Sequence, residues 1–165
     1  MCRQRNNKHI YVINTVPVRP LAAAILIGLP FPLHALTVIT SSDTSQTLST
    51  DSVYQIEAGT VITTTYQNAI NVDGIAPVTM TNGGSITSSV DNLAAAVRFN
   101  VPGTLSNLSS GRLLGNTFGV VFTSGDNNAL SNQGDISART SHAVAYQSGA
   151  GGVVDNFGTL KVVRR

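Results

Sequence analysis

The chain has one cysteine, Cys2, and no tryptophan. A single thiol builds no disulfide framework, and without a Cys-x-x-Cys pair there is no basis for a zinc site or a dithiol redox centre. Charge is also scarce. Asp, Glu, Lys and Arg make up 11% of the 165 residues, against roughly 25% in ordinary globular domains. Exposed helices rely on Glu, Lys and Arg, and coiled coils need charges flanking apolar heptads, so neither is the main architecture. The missing polarity is supplied by Ser, Thr, Asn and Gly. Hydrophobic residues, 42% of the chain, recur in order throughout. This opposes disorder and suits many short strands joined by turns. The length holds one domain and leaves little room for a second.

The formal net charge of +2 is unevenly spread. Residues 1–35 carry Arg3, Arg5, Lys8 and Arg19 and no acid. Residues 36–165 carry six bases (Arg98, Arg112, Arg139, Lys161, Arg164, Arg165) against all eight acids, a net of −2. No basic stripe shows in the linear sequence downstream of residue 35, so no nucleic-acid partner is expected.

Residues 1–35 are laid out as a secretory signal peptide. A basic stretch precedes the uncharged run Leu21-Ala22-Ala23-Ala24-Ile25-Leu26-Ile27-Gly28-Leu29, then Pro30 and Pro32, then Leu33-His34-Ala35. The apolar run is too short to span ~30 Å of hydrocarbon, which takes ~20 residues. Cleavage is expected between Ala35 and Leu36, with the export machinery as the first partner, and no consecutive Arg pair points to the twin-arginine route. Cys2 leaves with this segment.

The remainder repeats. A small residue, a β-branched residue, any residue and a large apolar residue recur as Ala69-Ile70-Asn71-Val72, Ala96-Val97-Arg98-Phe99, Gly119-Val120-Val121-Phe122 and Ala143-Val144-Ala145-Tyr146. Gly-x-[Ile/Leu] recurs at Gly84, Gly111, Gly134 and Gly158, each 15 residues after the start of the first phrase. Steps between copies are 27, 23 and 24 residues. Asn stands two before the Gly at Asn82, Asn132 and Asn156. The second copy has Asn107 four before, as if two extra residues entered that turn. Asn and Gly tolerate positive φ, which reads Asn-x-Gly as a turn.

Polarity alternates with period two inside each phrase, which means strands. Ile70/Val72, Val97/Phe99, Val120/Phe122 and Val144/Tyr146 share one face, although Val121 and Ala145 blur the other. Ile86, Leu113, Ile136 and Leu160 face inward after the glycines. A unit of about 24 residues holds two to three short strands and cannot bury its apolar face alone; stacked on its copies, it can. The fold expected is all-β, a right-handed parallel β-helix (solenoid) with a side-chain amide ladder along the Asn column. A hairpin sandwich has similar composition but requires no fixed offset, and the spacing of a leucine-rich horseshoe is absent. Residues 36–68 read as a weaker leading coil or cap, with strand-like segments at 37–40, 52–56 and 59–62, and residues 69–165 as four coils ending on an unfinished strand at Lys161-Val162-Val163.

The basic signal layout, the cysteine-free Ser/Thr/Asn/Gly-rich remainder and the Asn-x-Gly-x-[Ile/Leu] coils resemble an autotransporter passenger of the pertactin-like type, over Thr37 to Val163. The resemblance implies an outer-membrane system in which a C-terminal β-barrel brings the passenger to the cell surface for adhesion, aggregation or virulence, with host or neighbouring-cell surface molecules as partners. The chain departs from that pattern in having no barrel-like strand series after Val163. The expectation is therefore the N-terminal part of such a protein, exported to the periplasm and prone to self-association at its open edge.

The alternative class is a glycan-active enzyme, a polysaccharide lyase or hydrolase built on the same solenoid. That chemistry wants carboxylates ~5–9.5 Å apart. Asp43, Asp51, Glu57, Asp73, Asp91, Asp126, Asp135 and Asp155 fall at unrelated repeat positions. Gly125-Asp126-Asn127 resembles the Gly-Asp-Ser of lipase-like passengers, but Asn stands where the nucleophile would be. His142 beside Ser141 does not make a triad. Gly149-Ala150-Gly151-Gly152 lacks the Lys of a phosphate loop and the Asp spacing of calcium nonapeptides, and reads as a loop. No catalytic residue, cofactor or metal ligand is assigned, and a non-catalytic protein is expected.

Overall fold

The computed structural model describes residues 35–163 except Tyr66, Ile75 and residues 90–92. The segment expected to be a signal peptide lies, through residue 34 and with Cys2, outside the described residues, as do Asp91, Arg164 and Arg165.

Among the described residues all regular structure is strand. The chain opens with β1 (Leu36–Ile39) and β2 (Gln46–Leu48). Three strands then recur per coil: β3 (Val53–Ile56), β4 (Val61–Thr64), β5 (Ile70–Val72); β6 (Val78–Asn82), β7 (Ser85–Ser88), β8 (Ala95–Phe99); β9 (Gly103–Asn107), β10 (Arg112–Gly115), β11 (Phe118–Phe122); β12 (Asn128–Asn132), β13 (Asp135–Ala138), β14 (His142–Tyr146). β15 (Gly152–Asn156) and β16 (Thr159–Val162) begin the next coil. They form three sheets: sheet A in the order β1-β3-β6-β9-β12-β15, sheet B β4-β7-β10-β13-β16, and sheet C β2-β5-β8-β11-β14. Each strand pairs in parallel with its equivalent one coil away. The fold is a parallel β-solenoid.

The two sequence phrases lie in sheets C and B, in the expected register. Ile70 pairs with Val97, Val97 with Val120 and Val120 with Val144. Ser85 pairs with Arg112, Arg112 with Asp135 and Asp135 with Thr159. Ile70, Val72, Val97, Phe99, Val120, Phe122, Ile86, Leu113 and Ile136 are buried in one core. Phe122 stacks on Phe99 at 4.8 Å and on Tyr146 at 5.1 Å, and such ring pairs contribute about 0.5–1.5 kcal/mol each beyond their burial.

Sheet A is the strand set that the two phrases do not mark. Its inward column is Tyr54, Met80, Leu105, Leu130 and Val154, each two residues before the position that becomes the Asn column. The stretch 36–68 holds four strands, β1–β4, of which β3 and β4 belong to the first three-stranded coil. In the preceding coil sheet B is represented only by a bridge from Ser42 to Ile62.

The Asn column forms the expected ladder. Asn82 Nδ2 donates to Asn107 Oδ1 at 2.8 Å, Asn107 Nδ2 to Asn132 Oδ1 at 2.8 Å, and Asn132 Nδ2 to Asn156 Oδ1 at 2.7 Å. Asn107 keeps its place because Ser109 and Ser110 form an extra turn before Gly111. Glu57 to Thr60 make the same detour two coils earlier, closed by Thr60 N–H donating to Glu57 O as Gly111 N–H donates to Leu108 O.

The glycines after this column answer to a different constraint from the one expected. Positive φ is found at Gly59, Gly125 and Gly149, and at Asn127 and Ser148, not at Gly84, Gly111, Gly134 or Gly158. The reason is close approach. A Cβ on Gly134 would lie 2.2 Å from Gly111 O and 2.4 Å from Leu108 O, and one on Gly84 2.6 Å from Thr60 O. Each turn sits directly on the backbone of its predecessor, which leaves no room for a side chain.

A second, separate apolar cluster involves Ala95, Phe118 and Val121, with Ala145 packed against it. Val121 alternates with the inward Val120 and Phe122, so the position that blurred the polarity pattern has a buried role of its own.

Candidate functional site

The acids do not converge. Asp51 accepts from the Thr37 and Thr50 hydroxyls. Asp73 accepts from Asn100 Nδ2 at 2.6 Å, and Asn100 Oδ1 in turn accepts from Arg98 Nε at 2.8 Å and Thr123 Oγ1 at 3.1 Å. This polar row links three successive coils at the corner after sheet C. Asp126 lies in the turn between β11 and β12, Asp135 opens β13, and Asp155 lies in β15 opposite Ser131. Among the described residues no group of three or more His, Cys, Asp or Glu side chains could hold a metal ion.

His142 begins β14 and stacks on Phe118 at 6.2 Å, with Nδ1 2.5 Å from Ser141 Oγ. Gly125-Asp126-Asn127 forms a tight turn with positive φ at Gly125 and Asn127, fixed by Asn128 Nδ2 donating to Gly125 O at 2.8 Å. Asp126 and Asn127 border a recess with Pro77, Pro102 and Thr104. The glycine stretch is a loop at Gly149–Gly151, while Gly152 already belongs to β15.

The outer face of sheet B gathers what the linear sequence scatters. Arg112 of β10, Asp135 and Ser137 of β13, Lys161 of β16, Leu114 and the following Arg139 line one open recess of about 300 Å³. Alternation puts them there. Leu113, Ile136 and Leu160 point inward, so their neighbours point out. Asp135 pairs with Arg112 and Thr159; Ser137 pairs with Leu114 and Lys161. Arg139 Nη1 reaches back two coils to donate to Ser88 O at 3.1 Å. The side chains of Arg112 and Lys161 are exposed and make no hydrogen bond or ion pair to a described residue. Three of the four described bases thus share one face with one acid. The steps from 112 to 139 and from 139 to 161 show no stripe in sequence; the coil pitch brings them together.

Fold and recess together define a parallel β-solenoid with a cationic depression on one sheet. No family model matches the chain, and no curated protein or solved structure matches it.

Proposed function

We propose that the chain is a non-catalytic structural and interaction segment of a surface-exposed autotransporter passenger. The observation that carries this reading is the unbroken stacking of the three sheets, with an apolar column and an amide ladder passing from coil to coil. Such a stack is a stiff scaffold whose stability is a sum over neighbouring coils. It spends its polar side chains on linking coils and holds its outer faces out to partners on host or neighbouring cells. The signal layout of residues 1–35 supports export. Expression in a Gram-negative host followed by N-terminal sequencing of the exported material tests it: Leu36 is the expected first residue, and an intact Met1 overturns the export reading.

Self-association belongs to the same proposal. β14, β15 and β16 are the last strands of their sheets, and the inward-column residues Val154, Leu160 and Val162 are 37–38% exposed. An uncovered coil of this kind pairs with another one. Light scattering of the purified chain should show mass rising with concentration, and Leu160→Lys should suppress the rise. A monomer at every concentration overturns it.

A further inference from the structure

We infer that the recess on the outer face of sheet B binds a linear anionic glycan, whose carboxylate or sulfate groups are taken by Arg112, Arg139 and Lys161. This goes beyond the scaffold reading and does not depend on the route of export. Gathering like charges is unfavourable unless a counter-charge is supplied, and the only acid in the recess is Asp135. Arg112 and Lys161 are uncommitted to other described residues, so their donors are free for a ligand. A guanidinium presents a planar fork that matches carboxylate or sulfate oxygens, and a lysine ammonium adds a point charge.

The spacing argues for a polymer. The cations are rooted in three successive coils ~4.8 Å apart, in β10, just after β13 and in β16, and the Arg139 guanidinium reaches back to Ser88 of β7, so the charged heads are spread over several coils. A chain carrying charges along its length meets all three cations; a single small anion reaches one or two. The recess is open, which lets a polymer pass across it. Between the cations, the half-buried Leu114 offers an apolar surface to a sugar ring, and Ser137 offers a hydroxyl beside it. No aromatic ring lines the recess, so it lacks the stacking platform that single-stranded nucleic acid uses. Asp135 weakens the field of the three cations, so removing its charge should strengthen binding.

The test is calorimetric titration of the purified chain with a size-defined heparin oligosaccharide. A neutral cello-oligosaccharide, free sulfate, a single-stranded DNA of equal charge and vesicles of anionic lipid are the comparison probes. Heparin should bind, and more weakly as salt rises, because exposed charges are screened beyond ~8 Å at physiological ionic strength. Arg112→Ala with Lys161→Ala should weaken it at least tenfold, Asp135→Asn should tighten it a few-fold, and Arg98→Ala, on sheet C, should leave it unchanged. Circular dichroism checks that the variants stay folded. Absence of heparin binding, unchanged affinity in the double variant, equal loss in Arg98→Ala, or full competition by sulfate at equal charge overturns the inference. Binding to DNA or vesicles at least as tight as to heparin also overturns it, assigning the face to that partner instead.

Discussion

Ile136 and Leu160 occupy the same column, one coil apart, on strands β13 and β16. Ile136 is fully buried and Leu160 is 37% exposed. Leu130 and Val154 of sheet A repeat the contrast, at 2% and 37%. Sequence pattern decides which way a solenoid side chain points; the next coil decides whether it becomes core. The free energy of an inward residue is thus shared between its own coil and the one that covers it, as expected when repeats are stabilised by nearest-neighbour interfaces.

The sharpest way to break the comparison is to place a charge in both coils. Ile136→Asp buries an unpaired carboxylate, at a cost of several kcal/mol against a total stability of about 5–15 kcal/mol, and should abolish the β-sheet circular dichroism signal and protease resistance. Leu160→Asp leaves its carboxylate in reach of water and should retain both. Equal loss in the two variants would mean that the last coil is covered.

The amide ladder gives a smaller version of the same contrast. Asn107 is buried between Asn82 and Asn132, whereas Asn156 ends the ladder and is exposed. Asn107→Ala removes a partner on both sides and should cost about 1–3 kcal/mol. Asn156→Ala takes one bond from Asn132, whose Nδ2 still donates to Thr159 O, and should cost about 1 kcal/mol or less. Urea midpoints measure both.

The strands legible in the sequence are those whose phrases repeat with least variation. The constant 15-residue offset located sheets B and C, and their columns proved inward. The displaced Asn107 was recoverable because an amide ladder is worth keeping in register while a turn tolerates two extra residues. Sheet A was less legible because its signal is only an apolar residue two before the Asn, as in Met80, Leu105, Leu130 and Val154, and two positions carry little periodicity. β2 is hard to see because Gln46-Thr47-Leu48 offers one apolar residue, although Ser45 and Thr60 keep the same 15-residue offset. The Gly column shows in the sequence, but its cause, contact between coils, is invisible until their stacking is known. The cationic recess was illegible on the same ground: bases more than twenty residues apart become neighbours only through the pitch.

The ring column offers a pH test. Phe99 and Phe122 lie in covered coils, and Tyr146 carries the ring in the last sheet C strand. Burial pushes the Tyr146 phenol above its ordinary value of 10.0. The folded state therefore holds the proton more tightly than the unfolded one. This contribution is fully present below pH 10.0 and is lost as pH rises from there through the folded value. Alkaline titration of stability should show a decline that Tyr146→Phe reduces; an identical decline in that variant would mean that the phenol is as hydrated folded as unfolded.

The smallest effect is expected one residue away from the largest. Asp135 and Ile136 are neighbours on β13, and alternation sends one to the recess and the other to the core. Asp135→Ala removes a half-exposed carboxylate that makes no hydrogen bond or ion pair to a described residue. It also lowers the local negative charge beside Arg112, its partner in the pairing register. The change in packing is slight because the recess is open to water, and surface substitutions of this kind stay within about ±0.5 kcal/mol. The two terms left are a small loss of attraction to Arg112, screened by solvent, and a small rise in propensity for helix over strand that the fixed register resists. Thermal unfolding of Asp135→Ala should therefore superimpose on that of the unaltered chain. A destabilisation comparable to that of Ile136→Asp would mean that β13 faces the core with the opposite set of side chains, and would displace the register of sheet B with it.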